Sequence, residues 1–501
     1  MSSSLGSPEA LYHAIPQLEE VNASQINLDS DTLELNLAPT DPPAFLIDSS
    51  IRWIHFVLGC AVLLSWNVVI TAMPFFASRL AHSSLRSTFA SYLTTTFTLA
   101  NLIVLAHATA TSKHTIPSRR TRSAIAWLTL LNFLLTLTTF FTPSPGIFFA
   151  FILFNGAAQA TAGAYLQTSV IAVASLFGPP AVQSLMSGQA AVAVAVSGVQ
   201  VISAYASVHG KPRTFASDGS AEERSAYWFF SLSTLFLLFS LVAHTWMIRM
   251  PVYQHVAVSL ETERKTAGDV GHEEERRGLV SSPNDTSLPS DRQNAIRVAR
   301  LNISYEVAVA YVFVVTLVHR FTLPGNPFLI VLSQAVFPPI TTSVQPTNLA
   351  THPLLFSAVH FLVFNIGDFL GRYVCSFPAF LVWSAKRLLT LSAARTLFIP
   401  IFLMCNIQRG PTAVDYNPII NSDLLFMLIL FFFGCSNGYV SSLCMMSAPS
   451  LEHNPRLKGR PEDVDVAATV ASFCLVGGLT AGSVASFAVK AVFCSCNPFM
   501  D

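Results

Sequence analysis

Asp368 and Arg372 stand four residues apart inside FSAVHFLVFNIGDFLGRYVCSFPAFLVW, a run otherwise apolar enough to cross a bilayer. On a helix this spacing puts both charges on one face, where carboxylate and guanidinium can pair. Asn365 falls within about 60° of both on a helical wheel, so the three make one polar stripe on a lipid-compatible helix. An ionisable side chain near the middle of a span is costly and faces a partner or a watery cavity. Such a pair can simply glue helices together, but a single Ser or Asn does that more cheaply. The stripe therefore reads as the lining of a pathway for a polar solute.

Other apolar runs carry amides. Trp66 and Asn67 lie in LLSWNVVITAMPFF, Gln189 follows Gly188 in MSGQ, and Ser436, Asn437 and Tyr439 lie in FFGCSNGYVSSLCMM. Asn155, Gln159 and Gln167 share one span and fall within an arc of about 120° on a wheel. For each alone, an interhelical hydrogen bond is the plainer role. Together they can line a central cavity for a neutral solute rich in hydroxyls and amides. An amide offers donor and acceptor together, as a nucleobase edge requires, while ribose hydroxyls suit a charged donor–acceptor pair.

The elements that must position these residues follow from composition. Of 501 residues, 11% are charged and 52% hydrophobic, and the mean hydropathy is +0.52. A soluble domain carries about 25% charged residues, so most of this chain belongs in lipid. The net charge of zero argues against a nucleic-acid partner. Runs of about 20 apolar residues recur near 51–76, 88–110, 123–142, 147–176, 181–206 and 226–248. More follow near 303–345, 354–383, 387–407, 421–447 and 465–492. Counting 303–345 once gives eleven helices, six before a hydrophilic stretch and five after it.

The expected organisation is an acidic, disordered arm at 1–50, helices one to six at 51–248 and a disordered loop at 249–300. Helices seven to eleven follow at 301–492, with a short tail at 493–501. The arm lacks the charged-then-apolar layout of a cleavable leader. With the N-terminus cytoplasmic, Lys113, Arg119, Arg120, Arg122, Lys386, Arg387, Arg395, Arg456, Lys458 and Arg460 join the long loop's arginines on the cytoplasmic side. This is the positive-inside arrangement, with the C-terminus on the opposite side. It makes the sequons at Asn22, Asn284 and Asn302 poor glycosylation sites. The GxxxG patterns Gly367–Gly371, Gly434–Gly438 and Gly478–Gly482 mark helix contacts. The eight cysteines form no CxxC and no two His have ligand spacing, so free thiols and no metal or cofactor are expected.

These residues resemble the equilibrative nucleoside transporters, a family of eleven-helix carriers with a major-facilitator-like fold. SWNVVITAMPFF is similar to the first-span PWN-x-x-x-TA signature, with Ser65 in place of proline. AYLQTSVIAVASLF and LMSGQ resemble the fourth- and fifth-span motifs, FNIGDFLGR the eighth-span FN-x-x-D-x-x-GR and SNGYVSSLCMM the tenth-span SNGY. Five matches in order, with a long loop in the right gap, cover 51–492.

The resemblance implies an all-α polytopic bundle, six helices plus five, that moves nucleosides by alternating access, with nucleobases as a second candidate class. By the same resemblance Gln167 faces the base, Arg372 reaches the ribose and Asp368 holds Arg372. Trp66, Asn67 and Asn365 border the pocket, and Gly188, Gln189, Gly371 and Asn437 serve helix packing or gating. A monomer in the lipid bilayer is expected, in the plasma membrane or a vacuolar or lysosomal one.

One segment breaks the pattern. The roughly 40 residues from Ile303 to Gln345 exceed one helix across a ~30 Å core. Deleting Val318–Gln334 would join VVTL to AVFPP as the family has it. A Val codon begins with GT and a Gln codon can end in AG, so this in-frame stretch reads as a retained short intron. Catalysis is not expected: there is no Walker A motif, HExxH or GxSxG, and no soluble domain to hold an active site. Asp368 is the only acid expected deep in a span, with Glu306 and Asp423 nearer the edges, which favours passive transport. Proton-coupled uptake, or carriage of another polar solute such as a sugar, is the alternative.

Overall fold

Prolines start several of the helices. Pro117, Pro145 and Pro179 each open one, where the missing N–H is no loss and φ is preset. The computed structural model describes residues 49–80, 83, 85–113, 115–209, 220–258, 262, 291–317, 346–347, 353–405 and 419–494. The first half contains α1 (Ser49–Thr71), α2 (Met73–Arg79), α3 (Arg86–Ala110), α4 (Pro117–Thr138), α5 (Pro145–Leu176), α6 (Pro179–His209), α7 (Ser220–Arg249) and α8 (Pro251–Val256). The second contains α9 (Asp291–Leu317), α10 (Pro353–Val374), α11 (Ala385–Ala394), α12 (Phe398–Leu403), α13 (Asp423–Ser447) and α14 (Val464–Cys494). A 3-10 turn, Arg395–Leu397, joins α11 to α12 without a break. Among the described residues the only strand-like pairing is a bridge between Cys405 and Ile420.

Ile47–Asp501 is one compact unit. Within it α1 packs on α6 and α7, and α5 packs on α3 and α4. In the second half α10 lies along α13, and α9 packs on α14, α11 and α13. The halves meet where α6 crosses α10 and α13, and where α14 crosses α3 and α5. Between Leu176 and Pro179 the chain reverses through Gly178, whose φ of +81° lies in the left-handed region that glycine adopts without strain.

Close backbone approach explains the glycine patterns. A Cβ on Gly367 would strike the Phe431 carbonyl oxygen, and one on Gly371 that of Cys435. Reciprocally, Gly434 lies against the Phe364 oxygen and Gly438 against the Asp368 oxygen. The two GxxxG patterns are thus each other's partners, and they bring α13 into register with the polar stripe of α10. Gly59 and Gly188 do the same for α1 and α6, against Leu185 and Phe56.

The outer surface is apolar, with Trp127, Phe154, Leu232 and Leu424 all exposed, as a lipid-facing bundle requires. Among the described residues eight helices are long and apolar enough to cross a membrane. The expected eleven are reached by that measure only in part. Three further helical rods stand where the others were expected. One is α4, with Arg119, Arg120 and Arg122 near its start, and another is α10, with its stripe. The third is the continuous α11–α12 rod, whose hydrogen-bond pattern changes to 3-10 at Arg395–Leu397.

The disordered loop expected at 249–300 is helical at both described edges, α8 and the start of α9. Val298 anchors the latter, packing with Leu457, Val466 and Ala467. The arm at 1–48, residues 263–290, the anomalous Val318–Gln334 and the tail at 495–501 lie outside the described residues.

Candidate functional site

The stripe on α10 forms as the spacing predicts. Arg372 Nε donates to Asp368 Oδ2 at 2.8 Å, and the two side chains are 7% and 9% exposed. Taking such a pair out of water costs several kcal/mol per ion unless further hydrogen bonds satisfy both groups. Those bonds are present. Asn437 Nδ2, on α13, donates to Asp368 Oδ1 at 2.6 Å, and Arg372 Nη1 donates to the Met186 carbonyl of α6 at 3.1 Å. Gln183 Nε2 donates to the Arg372 carbonyl at 3.1 Å, adding a second strap to α6. Arg372 Nη2 makes no hydrogen bond among the described residues, which leaves one charged donor unused.

Asn365, one turn along, crosses to α6 through Ala193 O at 3.3 Å and Ser197 Oγ at 3.2 Å. The structure therefore brings Asn365, Asp368, Arg372 and Asn437 together at the seam between the halves. Asn437, expected in packing or gating, is a direct partner of the carboxylate. Gly371 and Gly188 are packing glycines, and Gln189 is buried beside the latter.

The remaining expected residues do not bond to the pair. Gln167 Nε2 reaches Ser472 Oγ of α14 at 2.8 Å, a second bridge between the halves. Trp66 packs against Phe97 with centroids 4.2 Å apart and the rings tilted by 34°, and Asn67 Nδ2 turns back to Leu63 O of its own helix at 2.8 Å. Nor does the amide row of α5 act as a unit. Gln159 Nε2 donates to Asn155 Oδ1 at 2.6 Å, and Asn155 Nδ2 donates to Leu131 O of α4 at 3.1 Å. Asn155 joins α5 to α4 and Gln159 bonds only within α5, leaving Gln167 as the α5 amide that bonds to the other half.

Arg395 and Glu306 are among the buried charges that escape sequence reading. Arg395, placed by its flanking basic residues on the cytoplasmic side, is instead 2% exposed. Its Nη1 donates to Ser436 Oγ at 2.8 Å and its Nη2 to Thr316 Oγ1 at 2.8 Å, and its Cζ lies 4.9 Å from the Phe433 ring centroid. The available signal was its position inside the apolar run LSAARTLFIPIF. Glu306, expected near an edge, is 3% exposed, with Cys474 beside it and no hydrogen bond from nitrogen or oxygen to either carboxyl oxygen. At one end of the bundle Asp463 takes Arg297 at 2.7 Å and Lys113 at 3.9 Å, joining the first half to the second. An ion pair between Arg79 and Glu223 stays within the first half.

Among the described residues no His, Cys, Asp and Glu cluster could hold a metal ion. The chain is a long helical bundle in two halves, with the buried Asp368–Arg372 pair at their seam. In overall fold it is similar to the E. coli fucose:proton symporter FucP. One FucP structure superposes with a TM-score of 0.50 at 12% identity, covering 89% of this chain and 94% of that one. A second, titled as the outward conformation of this Major Facilitator Superfamily transporter, also gives 0.50.

Residues 156–491 match the family model described as "Nucleoside transporter", and the chain belongs to that family. Equilibrative nucleoside transporter 1 of Rattus norvegicus is 27% identical over 484 residues, 88% of this chain and 96% of that protein. The Homo sapiens protein of the same name is also 27% identical, over 492 residues. Nucleoside transporter FUN26 of Saccharomyces cerevisiae is 24% identical over 465 residues, 86% of this chain and 82% of that protein. Fold and relatives alike are those of transporters, not enzymes.

Proposed function

We propose that the chain moves nucleosides, with nucleobases as a second class, down their gradients by facilitative alternating access. The first six helices rock against the last five around a mid-membrane site. The observation that carries the site assignment is the Asp368–Arg372 pair. It is buried at the seam, clamped by Asn437, strapped to the opposite half and left with one free guanidinium donor. Arg372 donates to the ribose hydroxyls and Asp368 fixes its orientation. Gln167 exchanges Ser472 for the edge of the base, while Trp66, Asn67 and Asn365 border the pocket. The positive-inside arrangement supports an N-terminus in the cytoplasm. The carrier works as a monomer in the plasma membrane or a vacuolar or lysosomal membrane.

The test is uptake of radiolabelled adenosine and uridine into cells that lack nucleoside transport, with unlabelled glucose as competitor. Saturable uptake that glucose leaves untouched is expected. Uptake no faster than in untransfected cells would sink the reading. A second reading, proton-coupled uptake, is favoured by Glu306, a carboxyl group enclosed by helices without a cation beside it. An imposed pH gradient separates the two, because facilitative transport keeps the same initial rate with the gradient and without it.

A further inference from the structure

We propose that Arg395 is a positioning residue for the Asp368–Arg372 site, acting through Thr316 and Asn437 without touching the solute. The inference rests on the site reading above. A guanidinium enclosed among helices is among the most expensive groups to place there, and no carboxylate lies within ion-pair distance of this one among the described residues. Its path to a negative charge is a relay. Arg395 Nη2 donates to Thr316 Oγ1 at 2.8 Å, Thr316 Oγ1 to Asn437 Oδ1 at 2.7 Å, and Asn437 Nδ2 to Asp368 Oδ1 at 2.6 Å.

Charge fixes the direction of every link. Turning the Asn437 amide over would set its oxygen against the carboxylate oxygen, so Nδ2 must face Asp368 and Oδ1 must face Thr316. The Thr316 hydroxyl has one proton and two acceptors at 2.7 Å, Asn437 Oδ1 and its own helix's Val312 O. Only donation to Asn437 satisfies the amide, and it leaves the Thr316 lone pairs for the donor that Arg395 supplies. All dipoles in the row then point from cation to carboxylate and polarise one another. With Arg395 gone, the Thr316 proton can turn back to Val312 O. Asn437 then loses its acceptor bond, and Asp368 loses the clamp that aims Arg372.

The experiment compares uridine uptake, as KM and as Vmax per surface molecule, in wild type, Arg395→Leu, Arg395→Lys, Thr316→Val and the Arg395→Leu/Thr316→Val pair. Each single change should raise KM about tenfold. The double change should raise it no further, because both cut one relay. Arg395→Lys should recover part of the loss. Unchanged KM with fewer molecules at the surface would make Arg395 a helix joint only and overturn the proposal, as would additive effects. If Arg395→Leu does not reach the surface, Thr316→Val and Thr316→Ser decide. A raised KM restored by serine supports the relay, and an unaltered KM in Thr316→Val removes it. Absence of uridine uptake in the wild type would instead count against the functional reading itself.

Discussion

Each half of the bundle buries a polar cluster, and the two are built differently. In the first half Asn132, Asn155 and Gln159 knot α4 to α5 without a charge. Their donors go to the Leu128 and Leu131 carbonyls, to Ser65 Oγ of α1 or to each other, and Asn132 Oδ1 and Gln159 Oε1 find no partner. In the second half Asp368, Arg372 and Arg395 bring three charges, linked by Asn437 and Thr316 across α9, α10, α13 and the α11–α12 rod. Apolar side chains of similar shape join helices as well as a buried ion pair does, so three charges are a costly means of packing. The neutral cluster does what packing requires. The charged one keeps a donor free at the seam, and that is the property a solute site needs.

Mutations that separate assembly from transport test this contrast. The largest effect should come from Asp368→Ala, which leaves Arg372 and Arg395 without a counter-charge. A loss of about 3–5 kcal/mol is expected. It would be read as abolished uptake together with a drop in surface protein, and Asp368→Asn should retain more of both. Next, Gly438→Ala forces α13 away from the Asp368 carbonyl. Overpacking of this kind costs about 1–3 kcal/mol and should lower the melting temperature in detergent, while Gly198→Ala, in open space, should leave it in place.

Gln159→Leu removes one amide from the neutral cluster. A change of about 1 kcal/mol in stability is expected, with the KM for uridine unaltered. A tenfold rise in that KM would break the comparison by making the first cluster part of the site. The smallest effect is expected at Lys113→Ala. The pair with Asp463 is long at 3.9 Å and 26% exposed on the lysine side, and partly exposed pairs contribute about 0–1 kcal/mol. Initial uptake rates should stay within about threefold of wild type.

Much of the charged site was legible because i,i+4 spacing fixes a helix face before any tertiary contact exists. Asp368, Arg372 and Asn365 therefore appear where the wheel puts them. The paired glycines were legible as contacts but not as partners, since GxxxG marks a close approach without saying to what. A wheel also gives angle and not depth. Asn155, Gln159 and Gln167 share an arc, yet the first bonds to α4, the second only to the first, and the third to α14. Arg395 was lost because the positive-inside rule groups it with Lys386 and Arg387 at the cytoplasmic face, although it falls inside the 387–407 run and Ala385–Leu403 is one continuous rod. Glu306 was lost for the converse reason. Starting the span at Ile303 puts it at an edge, but α9 begins at Asp291 and carries Glu306 well inside the helix.

The central claim, that the charged cluster is the ribose side of a nucleoside site, is tested most directly by substrate discrimination. The measurement is the ratio of uptake of uridine to that of 2′,3′-dideoxyuridine, at equal surface expression, for wild type and Arg372→Ala. The wild type should favour uridine by about tenfold, and Arg372→Ala should bring the ratio close to one, because the lost donor served the missing hydroxyls. A variant that transports both more slowly yet keeps the wild-type ratio would contradict the account.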